Sequence, residues 1–295
     1  MDIRPLRYLV TVADLGSFTL AAERLGVAQP AVSMSIRNLE KQLGLSLLDR
    51  GEKRVKPTAE GALLLVHARR ILDEVEAAEL ALNEARGLTK GEVRIGIPSM
   101  LGSYYFPPIL MAFKHRHQNL NLAVFEDGTR SIQKKIREGT LDVGVIVADR
   151  VPADLEAVPF LKEEMVVCVP VDHRFAEMDC VDFEDFFEEE LVLFKEGYFH
   201  REFIDRVCEK SGLTPKVAFE SNLIPLTKSI VRQGFGITVF LNMVLKDEPD
   251  LVAVPFRERV FLNMSIAWKK GAYQSIADRA FVDFLLEHAE VAADK

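Results

Sequence analysis

Ser17-Phe-Thr-Leu-Ala21-Ala22-Glu-Arg-Leu25-Gly26-Val-Ala28-Gln29-Pro30-Ala-Val32-Ser33-Met34-Ser-Ile36-Arg37-Asn-Leu39-Glu40-Lys-Gln-Leu43-Gly44 is the stretch whose reading decides the N-terminal fold. Ser17 stands where a helix N-cap belongs, its hydroxyl able to accept orphan backbone N–H groups. Ala21, Ala22 and Leu25 share one face of the helix that follows, and Gly26 supplies a left-handed stop. Pro30 then falls in the first turn of a third helix, where no N–H is needed. Val32, Ile36, Leu39 and Leu43 recur at spacings of 4, 3 and 4, which makes one buried stripe. The opposite face carries Gln29, Ser33, Met34 and Arg37. Upstream, Leu6, Leu9, Val10, Val12 and Ala13 predict a first helix that ends near Gly16.

Downstream, Arg50, Lys53, Arg54 and Lys56 crowd a short stretch broken by Gly51. That pattern predicts a basic hairpin able to lay cations on phosphates or into a minor groove. Helix, tight turn, helix and basic hairpin form a winged helix-turn-helix. Its third helix presents Gln29, Ser33 and Arg37 to base edges or backbone, with the N-terminal end reaching deepest. Taken singly, each of these residues reads as a solvated polar face, and the hairpin as an ordinary charged turn diluted by Asp49 and Glu52.

The bulk composition agrees. A length of 295 residues predicts two domains. The net charge of −8 argues against a simple nucleic-acid coating protein, but residues 1–60 carry net +2 and residues 91–295 net −9. A mildly basic head on an acidic body fits a protein in which only the head meets phosphate. Three scattered cysteines, Cys168, Cys180 and Cys208, fit reduced thiols in a cytoplasmic setting, and no secretory signal or long apolar run predicts export or a membrane span.

After Thr58, a plausible N-cap, Leu64, Ala68, Ile71, Val75, Ala78, Leu82 and Ala85 follow at spacings of 4 and 3 up to Arg86-Gly87. This is a coiled-coil seam about 45 Å long, at 1.5 Å per residue over roughly 30 residues. Dimerisation is expected of it, with packing on the chain's own body as the alternative. Beyond residue 91, short apolar runs alternate with helical patterns. Strands are expected at 93–97, 122–125, 141–147, 165–169, 191–194, 217–219, 237–240 and 261–268. Helices are expected at 101–117, 131–138, 200–210, 223–233 and 276–288. The alternation predicts a mostly parallel α/β architecture in two lobes. In such sheets ligands sit at strand C-termini against helix N-termini. That rule singles out Ser99, Thr129 and Ala148 in one lobe, and Phe194, Tyr198 and Thr238 in the other. Capping or loop structure is the plainer role for each. No phosphate-loop lysine, Gly-x-Ser-x-Gly elbow or nucleophile–base pair appears, so no catalytic residue, metal or cofactor is assigned. The acidic cluster Asp182 to Glu190 reads as a solvated face, with a cation site as the alternative.

Residues 1–87 resemble the N-terminal part of LysR-type transcriptional regulators. The resemblance runs through Phe18-x-x-Ala21-Ala22-x-x-Leu25, Gln29-Pro30-Ala31-Val32-Ser33-x-x-Ile36-x-x-Leu39-Glu40-x-x-Leu43-Gly44 and Arg50…Pro57-Thr58-x-x-Gly61. Ala28, Met34 and Leu48 depart from residues common in the family. The body resembles the family's effector domain through Gly96-Ile97-Pro98-Ser99, Leu141-Asp142-Val143, Pro170-x-x-His173 and Gly234-x-Gly236-Ile237.

The fold implied is α/β with an all-α N-terminal part. It comprises a winged helix-turn-helix DNA-binding domain (1–58), a linker and dimerisation helix (59–90) and a two-lobed α/β effector domain (91–295) like a type 2 periplasmic binding protein. Lobe I is expected at about 91–161 and 267–295, and lobe II at about 162–266. The resemblance implies DNA contacts from Gln29, Pro30, Ser33, Met34, Arg37, Arg50, Lys53 and Arg54. It implies effector contacts from Ser99, Met100 and Thr129, and more loosely from Phe194 and Thr238. It also implies a homodimer or homotetramer on an operator with dyad symmetry and a small, anionic effector, and leaves RNA polymerase as a further candidate partner. A periplasmic binding module and a cleft enzyme are the rival classes; the DNA-reading head opposes the first, and the missing catalytic constellation the second.

Overall fold

A computed structural model describes residues 2–51, 54–85, 91–147 and 151–293. It divides into two compact units, Met1–Leu88 and Thr89–Lys295.

The first unit is built of α1 (Ile3–Leu15), α2 (Phe18–Leu25), α3 (Gln29–Leu43), a hairpin of β1 (Leu48–Asp49) and β2 (Lys56–Pro57), and α4 (Ala59–Ala85). Its helix ends follow the local rules read from the sequence. Gly16, Gly26 and Gly44 each close a helix in the left-handed region, at φ 64, 66 and 68°. Ser17 Oγ accepts from Leu20 N. Leu6, Leu9, Val12, Ala21, Ala22, Val32, Ile36 and Leu39 bury together, joined by Leu47 and Leu48 from the hairpin and by Leu65 and Ala68 from α4.

Thr58 caps α4: its Oγ1 accepts from Gly61 N at 2.9 Å and donates to Ser46 O at 2.7 Å. Gly61 is required by closeness, since a Cβ there would stand 1.9 Å from Leu47 O. The expected seam is divided by the tertiary fold. Ala68 is fully buried in the head's own core and Leu64 packs against it, whereas Ile71 and Leu82 are 41% and 61% exposed. The Arg86-Gly87 stop and the side chain of Ala85 lie outside the described residues.

The second unit starts with β3 (Glu92–Ile97), α5 (Ser99–Tyr104), α6 (Phe106–Arg116), β4 (Asn121–Glu126), α7 (Thr129–Arg137) and β5 (Val143–Val147). The long strand β6 (Leu155–Pro170) leads to α8 (Phe183–Glu188), β7 (Glu190–Leu193), α9 (Phe199–Ser211), β8 (Lys216–Glu220), α10 (Ile224–Arg232) and β9 (Thr238–Leu241). A 3-10 turn (Asn242–Leu245), the 19-residue β10 (Leu251–Lys269) and α11 (Ile276–Ala293) complete it. Three expectations need correction. The helix at 101–117 is two helices that meet at Tyr105, because Pro107 and Pro108 have no N–H to continue the ladder. Residues 182–190, for which no helix was expected, contain α8, which buries Phe186 and Phe187 while Glu184 and Glu188 stay exposed.

The third correction concerns the sheet, which is mixed rather than mostly parallel. Its order is β4-β3-β5-β10-β6-β9. β3 runs parallel to β4 and β5, but β10 is antiparallel to both β5 and β6, and β9 is antiparallel to β6. β6 and β10 form one antiparallel ribbon that belongs to both lobes. Lys162, Glu163 and Glu164 interrupt its apolar pattern at the crossing, which hid the length of the strand. The ribbon's register breaks between Pro255 and Val260, where the extra residues leave β6. They pair instead with Val181, through Val181 N to Pro255 O at 3.0 Å and Arg257 N to Val181 O at 2.9 Å.

Candidate nucleic-acid interface and ligand cleft

In the head, the α3 stripe Val32–Ile36–Leu39 is sequestered, so geometry turns Gln29, Pro30, Met34 and Arg37 outward, with Ser33 half-buried beside them. Met34 is 60% exposed. Ala28 occupies the α3 N-cap position and supplies no side-chain hydrogen bond.

The hairpin is tied to α3 by Glu40. Its Oε1 accepts from Leu47 N at 2.9 Å and Leu48 N at 3.3 Å, and its Oε2 pairs with Arg50 Nη2 at 2.7 Å. The Arg50 guanidinium also stands 5.2 Å from the Phe18 ring centre. Arg50 therefore joins α2, α3 and the hairpin, a role that sequence reading did not foresee. Arg54 is exposed and lies along the α1–α2 turn: a Cβ on Gly16 would fall 2.4 Å from its Nε, and the next residue, Val55, donates its N–H to Gly16 O at 2.9 Å. Lys53 lies outside the described residues. The arrangement offers an exposed mixed polar and apolar helix face flanked by cations.

In the second unit, a cleft opens between the lobes. Pro98, Ser99, Met100 and Leu101 line it from the end of β3 and the start of α5, and Gly128 and Thr129 from the start of α7. Tyr198, Phe199 and His200 face them from the start of α9, with Leu241, Leu262, Met264 and Val147 closing the walls. Of the residues singled out by sequence, Ser99, Met100, Thr129 and Tyr198 therefore converge. Phe194 stands one layer back, its ring centre 4.8 Å from that of His200. Thr238 is buried inside lobe II, where its hydroxyl donates to Val192 O at 2.6 Å. Ala148 lies outside the described residues. Phe199, Leu262 and Met264 are cleft residues that the sequence did not disclose. The last two face it from the middle of β10, where only the strand pairing decides which residues turn inward.

Several groups hold the lobes together. The cleft retains about 20 Å³, space for roughly one water. Gly128 packs so closely on Gly197 that a Cβ would stand 2.2 Å from its carbonyl oxygen. Arg130 Nε meets Glu202 Oε1 at 2.5 Å. On another side, buried Lys228 reaches Tyr104 OH at 2.7 Å while bonding Val244 O at 2.8 Å and Glu248 Oε1 at 2.7 Å. The Lys228 ammonium holds the Glu248 carboxyl below its ordinary range, against the opposing effect of burial. Burial, reinforced by Glu126 and Asp127, raises the Tyr198 phenol. The acidic cluster is partly consumed by cations: Asp182 pairs with Arg257 at 2.6 Å and Glu189 with Arg174 at 2.6 Å.

Comparison with known proteins places both units. Residues 3–62 match the model of the bacterial regulatory helix-turn-helix protein, lysR family, and residues 86–290 match the LysR substrate binding domain. The chain is 31% identical over 286 residues to the uncharacterized HTH-type transcriptional regulator YwbI of Bacillus subtilis, spanning 96% of this chain and 95% of that one. It is 32% identical over 292 residues to the HTH-type transcriptional regulator ShiR of Corynebacterium glutamicum, spanning 97% and 99%. Among solved structures, a full-length OxyR variant from Pseudomonas aeruginosa superposes with a TM-score of 0.74 at 25% identity, covering 97% of this chain and 94% of that one. A helix-turn-helix head with a buried α3 stripe, joined to a two-lobed body with a cleft, is thus matched along nearly the whole chain, and the protein belongs to the LysR family of DNA-binding transcriptional regulators.

Proposed function

We propose that this regulator acts in the cytoplasm as a homodimer or a pair of dimers on an operator with dyad symmetry, and that a small anionic metabolite bound between its lobes modulates that binding. The observation that carries the DNA reading is the division of α3. Val32, Ile36 and Leu39 are no more than 2% exposed, while Gln29, Met34 and Arg37 on the other face are exposed. In this reading Gln29 and Arg37 pair with base edges or phosphate, Met34 meets a thymine methyl, and Arg54 neutralises backbone charge. Arg50 orients the hairpin as well as facing phosphate. The dimer reading rests on Ile71 and Leu82, apolar seam positions that the head leaves exposed.

The effector reading rests on the convergence of Ser99, Thr129 and the first turns of α7 and α9 on one cleft. Helix N-termini and hydroxyl donors favour an anion. A ligand that binds one lobe arrangement better than another shifts the assembly and with it the spacing of the heads. Duplexes selected from a random library by the wild-type protein supply the test of DNA reading. Gln29→Ala and Arg54→Ala should each weaken their binding, by roughly 1–3 kcal/mol for a lost bidentate base contact, with an unchanged circular dichroism spectrum. Wild-type affinity in both variants would refute the assignment.

A further inference from the structure

His200 is the feature of the cleft for which neither the helix-terminus rule nor the internal structure accounts. It occupies the first turn of α9, 9% exposed, and lines the cleft beside Tyr198 and Phe199. One face of its imidazole lies on Phe194, ring centres 4.8 Å apart at 32°, which fixes the ring plane. Its Nε2 is buried with no hydrogen-bond partner among the described residues. Native interiors rarely leave a side-chain polar atom in that condition, because it forfeits water without replacement. An apolar residue would fill the place against Phe194 at no such cost.

The neighbours do not satisfy it. Leu241, Leu262 and Met264 face the same cleft from β9 and β10 and offer no strong acceptor. Glu202, two residues further along α9, is ion-paired with Arg130 of α7. Burial drives the imidazole down to about 3, so the ring is neutral at physiological pH and carries a single N–H.

We propose that His200 Nε2–H is the lobe II anchor for the effector, donating to an oxygen of a carboxylate that Ser99 and Thr129 hold from lobe I. This rests on the reading of the cleft as the effector site and extends it: recognition requires an acceptor oxygen facing lobe II, and the bond it forms bridges the two lobes. A carboxylate suits the geometry because its two oxygens accept from opposite sides. An acceptor in the cleft also selects the Nε2–H tautomer over Nδ1–H. A ligand without an acceptor oxygen leaves the same donor buried and unpaired, which is the arrangement by which polar sites reject near-isosteres.

The test uses the full-length protein with acetate, succinate and benzoate as probes. Each is scored by melting temperature, and binders by titration calorimetry, in wild type, His200→Phe and His200→Gln. At least one probe should bind the wild type. His200→Phe should weaken it tenfold or more, and His200→Gln, which keeps an N–H donor, should recover most of the loss. The ligand-free His200→Phe protein should melt no lower than wild type, since it loses no internal hydrogen bond; a purely structural histidine would instead lower melting without changing affinity. In wild-type protein labelled with ¹⁵N-histidine, the bound probe should shift the Nε2 resonance, a reading independent of whether the variants fold. A probe that binds all three proteins equally, or leaves Nε2 unmoved, overturns the role of His200 while the cleft reading stands. Failure of every carboxylate to bind wild type overturns the anionic-effector reading, and this inference with it.

Discussion

Glu40→Ala is the substitution that best tests how the head is assembled. One carboxylate accepts from two backbone N–H groups and one guanidinium, and so sets where the hairpin stands relative to α3. Leu47 and Leu48, whose amides it holds, are 1% and 2% exposed. A hydrogen bond to a charged acceptor contributes about 1.5–3 kcal/mol. The bond at 3.3 Å belongs at or below the low end of that range, and water entering beside the half-exposed Arg50 offsets part of the loss. The Arg50 ion pair, with side chains 32% and 15% exposed, adds less than about 1 kcal/mol. The net expected loss is about 2–3 kcal/mol, or about 30- to 140-fold in the local opening constant.

Amide hydrogen exchange reads this directly at Leu47 and Leu48, without assuming that a two-unit chain unfolds in one step. Their protection should fall by that factor in Glu40→Ala, while the amides of α6 in the other unit stay as they were. Arg50→Ala is the control. It leaves both amide bonds in place and should lower protection by no more than about fivefold, in keeping with a partly exposed ion pair. If Glu40→Ala exchanges within threefold of wild type, or Arg50→Ala matches its loss, the carboxylate does not organise the hairpin and the reasoning fails. On the proposed DNA reading, operator affinity should follow the exchange data, because a displaced hairpin would carry Arg54 away from the phosphate backbone.

Three further outcomes follow from other parts of the molecule. Ile71→Glu with Leu82→Glu places charges at the exposed part of the α4 stripe and should give monomers by light scattering at micromolar concentration, with the head's helicity kept; a persisting dimer would assign the interface elsewhere. Asp278, which caps α11 by accepting from Ser275 N and Oγ, is pushed up to about 6 by burial and by Asp142. Its folded value lies above the unfolded one, so its contribution is complete below the unfolded range and is lost as pH rises through 6. Asp278→Asn should therefore gain on wild type in stability as pH rises from about 4 to about 7, by about 3 kcal/mol in all and levelling off above that, and a constant difference across that span would contradict the assignment. Burial pushes the Cys168 thiol up to about 12, so alkylation of the native protein at pH 8 should modify Cys180 and Cys208 before Cys168, and equal rates at all three would place Cys168 outside the core.

The head was almost wholly legible in the residues because its signals are local. A cap at Ser17, helix ends at Gly16 and Gly26, and a stripe at spacings of 4 and 3 are each decided within a few positions of the chain. A nearly unbroken set of motifs carried the family as well. The body was legible as alternating strands and helices but not as a sheet. Antiparallel pairing of β10 with β6 joins residues about a hundred positions apart, and no local pattern encodes a partner at that distance. The same limit explains the cleft. Ser99, Met100, Thr129 and Tyr198 could be named because strand ends and helix starts mark themselves. Leu262 and Met264, in the middle of a strand, acquire their place only from register. Arg50 reads as a cation in a basic turn until α3 brings Glu40 against it. His200 reads as one more polar residue at a helix start until packing on Phe194 removes it from water. Local sequence thus determined which elements form and which faces are apolar. Tertiary structure alone decided which polar groups lost their solvent and what, if anything, replaced it, because burial and pairing belong to neighbours brought together from distant parts of the chain.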